Sequence, residues 1–168
     1  MKQSMFEASV PAFIHALNNL AVILQKGADF AAAKKIDTTV LANSRLFIDM
    51  FPLSRQVQIA TDSVKGGAAR LAGVEPPAFE DNEKTLPELI ERVNKTVAYL
   101  QTLTAAQIDG SEDKTMTWQT RSGSKSMQGL LYLRAHVIPN LYFHVTTAYN
   151  ILRHNGVELG KKDFLGNP

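Results

Sequence analysis

Apolar residues recur every three or four positions along four separate stretches of this chain, and that spacing suits amphipathic helices rather than strands. The first stretch runs from about Ser4 to Lys26, with Val10, Phe13, Leu17, Leu20 and Leu24 as its stripe. Pro11 either kinks this helix or occupies its first turn after a Ser9 cap. Gly27 reads as a stop, and Ala28 to Lys35 as a separate alanine-rich piece. Asp37 is placed to cap a further short turn. A second long helix is predicted from about Pro52 to Leu71, ended by Gly73, with Leu53, Val57, Ala60, Val64, Gly67 and Leu71 facing inward. Gly66 to Ala69 form a small-residue patch within it. Two mid-helix glycines cost roughly 1 kcal/mol each relative to alanine, so the patch reads as a point where a neighbouring element approaches closely.

Pro76 and Pro77 mark a loop. Thr85 and Glu88 then form a capping box for a third helix, Leu86 to about Leu103, with one more turn from Thr104. Between Asp109 and Gly129 the pattern changes to a Thr-rich, partly alternating run. The Ser122-Gly123-Ser124 turn signal makes it a long loop or small hairpin carrying the single tryptophan, Trp118. A last helix begins or kinks at Pro139 and ends at Gly156, with Leu141, His144, Val145, Ala148, Ile151 and Leu152 on one face. In the tail, Phe164 and Leu165 are candidate anchors. These segments predict an all-α four-helix bundle, with a loop or hairpin inserted before the last helix, as one domain over residues 1–168.

The 168 residues suffice to bury a substantial core. Cysteine is absent, which excludes a disulfide scaffold, a thiol nucleophile and cysteine-ligated zinc. Lys and Arg number 18 against 16 Asp and Glu. A surplus of two positive charges is no footprint for nucleic acid, and none is expected as a partner. The N-terminus lacks the apolar core of a signal peptide. The longest uncharged run, Ala8 to Gln25, holds Pro11, His15, Asn18 and Asn19 and is too polar for a membrane span. A cytoplasmic protein with no membrane partner is expected.

Of the four histidines, His15 reads as partly exposed, His154 as structural or solvated in the last turn of its helix, where the dipole favours positive groups, and His136 has no assignable orientation. His144 shares the inward face of the last helix. It is either a core histidine with satisfied ring nitrogens or a ligand of a metal inside the bundle.

The segments Asn140-Leu141-Tyr142-Phe143-His144 and Leu152-Arg153-His154-Asn155-Gly156 resemble the last helix of the DinB and YfiT-like superfamily. Its members are four-helix bundles, often with His-x-x-x-His on this helix. His144 matches the second histidine of that motif, and Asn140 stands where the first would be. Ser9-Val10-Pro11, Asp49-Met50-Phe51-Pro52-Leu53, Gln56-Val57-Gln58 and Gly160-Lys161-Lys162-Asp163-Phe164-Leu165 resemble one branch, a domain of unknown function, over nearly the whole chain. Metal-binding members usually place a third histidine near the start of the second helix, where this chain has none. Gln56 points inward there, and Asp49 would share its face if the helix began earlier.

Three functions are therefore expected, of which the first and third can hold together. One is a small ligand held in an inter-helix cavity by His144, Asn140, Gln56 and Asp49. Another, implied by the resemblance, is a divalent-metal enzyme, a thiol-using transferase or isomerase, with zinc or nickel on His144, Asn140 and Gln56. Neutral amides are poor ligands for either metal. The third is a non-catalytic homodimer paired through the Gly66 to Ala69 patch. No Gly-x-Ser-x-Gly nucleophile elbow is present.

Overall fold

The computed structural model describes residues 3–120 and 122–166. Four long helices supply the core: α1 (Val10–Lys34), α3 (Leu53–Ala72), α4 (Leu86–Gln101) and α7 (Ile138–His154). Shorter pieces fill the connections: α2 (Thr38–Asn43), α5 (Ala105–Ile108), α6 (Gly129–Tyr132) and α8 (Lys161–Leu165). The principal packing partners are α1 with α4 and α3 with α7, and α3 also meets α4. Phe13, Leu17, Leu20, Leu24, Leu53, Val57, Leu86, Leu89, Leu141 and Ile151 are all fully buried between them. No helix among the described residues is long and apolar enough to cross a membrane.

The fold is mostly helical rather than purely so. Strands β1 (Thr115–Thr120) and β2 (Gly123–Gln128) form an antiparallel hairpin, with Trp118 opposite Lys125. Met116 and Trp118 are buried while Thr115, Thr117 and Gln119 are exposed, so the alternation turns one face onto the helices.

Two helix boundaries differ from expectation. Gly27 does not end α1. A Cβ there would lie 3.1 Å from Leu152 Cδ2 and 3.2 Å from Leu86 Cδ1, so the glycine allows α7 and α4 to approach. The helix closes at Lys35, whose φ of 56° lets Lys35 N and Ile36 N donate back to the carbonyls of Ala32 and Ala31. The second difference lies at Pro139. The helical rod already starts at Gly129 and passes through a π-helical turn, Leu133–Val137, before α7. Pro139 cannot donate to the carbonyl four residues back, and a wider turn accommodates that loss.

The capping signals at Thr85 and Asp37 act as expected, whereas Ser9 precedes α1 without a side-chain capping bond, its hydroxyl donating back to the Met5 carbonyl at 2.7 Å. Thr85 Oγ1 accepts from Glu88 N, and Glu88 accepts from Thr85 N at 2.9 Å. Asp37 accepts from Thr39 N at 2.8 Å. In the tail, Phe164 packs on the core while Leu165 is anchored through its backbone, its carbonyl accepting from His15 Nε2 at 2.7 Å.

The Gly66 to Ala69 patch is buried inside the chain and offers no flat surface for a partner. A Cβ on Gly67 would lie 2.6 Å from Val137 Cγ1, whereas one on Gly66 would meet only the mobile end of Arg70. The two glycines should therefore respond oppositely to alanine. Gly66→Ala is expected to be neutral or to stabilise by up to about 1 kcal/mol through helix propensity. Gly67→Ala is expected to destabilise by about 1–2 kcal/mol, because overpacking exceeds that gain. Urea unfolding of the two variants checks the contrast in sign.

Candidate functional site

Helices α3 and α7 run antiparallel, which brings Gln56, in the first turn of α3, against His144 in the middle of α7. His144 Nδ1 and Gln56 Oε1 are 2.8 Å apart, and both residues are buried. Gln56 Nε2 donates to the carbonyl of Phe51 at 3.1 Å. That second bond fixes the amide, so Oε1 is the atom facing the imidazole. An amide oxygen can only accept, so the proton sits on His144 Nδ1. Nε2 is then a bare acceptor, and no hydrogen bond engages it among the described residues. Burial first, and the Arg55 charge second, push the His144 pKa below its ordinary 6.5. The ring is neutral at pH 7. Phe143 packs edge-on to it, with ring centroids 5.1 Å apart.

Asn140 and Asp49 lie elsewhere. Asn140 Nδ2 donates to the carbonyl of His136 at 2.6 Å, so the amide serves its own helix. Asp49 sits in an exposed turn before α3, because the helix begins only at Leu53. The structure thus unites His144 and Gln56 and leaves the other two outside the pair.

A zinc or nickel ion does not fit these residues. Among those described, no three His, Asp or Glu side chains gather as a metal would require. His144 has one nitrogen committed to Gln56, and Asn140 is turned away.

The model of a domain of unknown function, DUF1993, matches residues 5–165. The chain belongs to the DUF1993 family. A DinB family member protein from Shewanella denitrificans, known from its crystal structure, is 44% identical to this DUF1993 chain. The two superpose with a TM-score of 0.88 over 97% of this chain and 92% of that one. None of the curated proteins compared with the chain matches it. The DUF1993 chain therefore has the DinB-like helical fold, in which the His144–Gln56 pair occupies the α3–α7 seam.

Sequence reasoning missed a second polar centre in this DUF1993 fold. The Arg92 side chain is almost wholly enclosed, and each of its three nitrogens donates to at least one acceptor, with Asp81 as a further ion-pair partner. Nε donates to Thr61 Oγ1 at 2.9 Å. Nη1 donates to the Glu80 carbonyl and to Glu83 Oε1, both at 3.0 Å, and Nη2 reaches Asp62 and Asp81 at 2.9 and 3.0 Å. Phe79, from the same loop, lies under the ammonium groups of Lys65 and Lys95 at 3.9 and 4.4 Å. Beside this network lies a cavity of about 690 Å³ whose walls include Phe79, Glu83, Arg92 and Lys95. The sequence signal was a charge one step from the apolar stripe of α4, between Leu89 and Thr96.

The low pKa of His144 has a consequence for stability. The unfolded chain takes up a proton near pH 6.5, before the folded chain does. Stability present above that pH should decline as pH falls through it toward the lower folded-state value. His136 contributes in the same direction, through burial and the charges of Arg70 and Lys125. Urea midpoints taken between pH 7.5 and pH 5 are expected to fall, and His144→Gln, which cannot titrate, should flatten that decline.

Proposed function

We propose that this DUF1993 protein binds a small organic ligand at the α3–α7 seam, with neutral His144 as the hydrogen-bond acceptor and Gln56 as the residue that positions it. The observation carrying this reading is the chain of contacts from the Phe51 carbonyl to Gln56 to His144 Nδ1, which leaves Nε2 unpaired on a neutral ring. A neutral imidazole nitrogen suits a ligand with an O–H or N–H group. Aromatic Phe143 beside it, 60% exposed, suits an apolar body. In the preceding loop Phe47 and Ile48 are exposed at 67% and 86% and supply further apolar surface. The ligand set reads as His144 and Gln56, without a metal and without Asn140 or Asp49.

Phenol is the simplest probe with this chemistry. In a titration followed by NMR, saturable shifts of the His144 ring are expected, lost in His144→Ala and weakened about tenfold in Gln56→Leu, which leaves Nδ1 unpaired and the ring unpositioned. Shifts scattered over the surface, with none at His144, would defeat the reading.

A further inference from the structure

The opposite end of the α3–α7 seam carries a different chemistry. From Gln56 to Arg70 is about 20 Å along α3, at roughly 1.5 Å per residue. Arg70 stands in the last turn of α3, where a cation ordinarily serves the terminal carbonyls. It does not do so here. Its Nη1 lies 2.7 Å from where a Cβ on Gly66 would be, so the side chain folds back one turn over the bare glycine. From there Nη1 donates to Tyr132 Oη at 3.2 Å. Among the described residues, Arg70 forms no ion pair.

Around this guanidinium stand donors without acceptors. Tyr132 accepts from Arg70, which leaves its own hydroxyl proton free. His136 stacks on Tyr132 with centroids 5.4 Å apart, and Trp118 packs on both rings at 4.6 and 4.8 Å. Asn140 Nδ2 lies 3.5 Å from His136 Nδ1, an arrangement that suits a lone pair there and a proton on Nε2. Trp118 is 7% exposed and its Nε1–H has no partner. Lys125, opposite Trp118 in the hairpin register, lies on the same sheet face and also lacks an ion pair among the described residues. His136 belongs to the π-helical turn, a distortion frequent at functional sites. Both Arg70 and Lys125 depress the His136 pKa, so both charges reach its ring.

We infer that Arg70, Tyr132, His136, Trp118 and Lys125 form a binding site for an oxyanion, the phosphate or carboxylate group of a small molecule. Two cations and three neutral donors, with no acid among them, match the acceptor-only chemistry of such a group. The site is independent of His144.

Trp118 is the only tryptophan and reports directly on the cluster. The full chain would be titrated with inorganic phosphate, and in a second arm with acetate, at ionic strength held constant with sodium chloride. A saturable change in Trp118 emission is expected in one arm or both, and the tighter arm identifies the group. Arg70→Gln should weaken it by about tenfold or more, the worth of one charge-assisted hydrogen bond. Gly66→Ala keeps the charge but fills the space the guanidinium occupies, and should weaken binding while leaving the fold intact. Lys125→Gln should weaken it less, and His144→Ala not at all. No saturable change in either arm would overturn the inference. So would a change that Arg70→Gln and Gly66→Ala both leave unaltered.

Discussion

Replacing Arg92 with alanine is expected to lower the unfolding free energy by about 3 kcal/mol. The substitution removes the cation that Glu83, Asp62 and Asp81 share; Asp62 keeps Lys65 and Asp81 keeps Arg55, whereas Glu83 keeps only the neutral Gln58 amide. Their side-chain exposures set the size of the effect. Glu83 is 11% exposed and bears most of the cost, while Asp62 and Asp81 are 38% exposed and regain water. The value therefore falls at the lower end of the roughly 3–5 kcal/mol seen when a buried pair loses one partner. The change should also loosen the 74–85 loop, since Arg92 holds the Glu80 carbonyl, Asp81 and Glu83 together, with Arg55 and Gln58 left to hold Asp81 and Glu83. Urea unfolding gives the first quantity, and limited proteolysis should place new early cuts in that loop. Glu83→Gln, which keeps a hydrogen-bond acceptor, should cost less.

Gly129→Ala should be comparably damaging, at about 3 kcal/mol, the upper end of overpacking costs. A Cβ at Gly129 would lie 2.0 Å from the Ser111 carbonyl oxygen. That atom is backbone and cannot swing aside. The two segments are tied together there, because Gly129 N donates to the Lys114 carbonyl and Leu130 N to the Glu112 carbonyl, each at 2.9 Å. Alanine would prise the hairpin from the start of α6, so the emission of Trp118 should shift to the red along with the loss of stability. Gly160→Ala is the control. It has no neighbour within 4 Å and an extended φ of −132°, and its effect should stay within about 0.5 kcal/mol.

The four long helices were legible because each carries an apolar stripe whose period is fixed by backbone geometry. The inward stripe of α3, from Leu53 to Leu71, is buried at every position. Gly27 was misread because glycine's helix-ending tendency is local, whereas its actual role comes from Leu152 and Leu86, distant in sequence. The His144–Gln56 contact was half legible. Spacing turned each residue inward, but only the start of α3 at Leu53 decides that Asp49 stays outside. The Trp118, Tyr132 and His136 stack was beyond reach, since it depends on how a hairpin docks onto a π-helical turn. Arg92 shows the limit of reading charge as surface. A guanidinium with five acceptors tolerates burial that an unpaired one would not.

On this geometry His144 is a neutral histidine, protonated on Nδ1 and positioned by Gln56, rather than a metal ligand. Nitrogen-15 NMR of the histidine rings at pH 7, with and without one equivalent of zinc chloride, tests that assignment most directly. The expected spectrum for His144 has a protonated Nδ1 and a bare Nε2, and zinc leaves it unchanged. A doubly protonated ring, a proton on Nε2 instead, or a zinc-induced shift of the His144 nitrogens that Gln56→Ala abolishes would each contradict the claim.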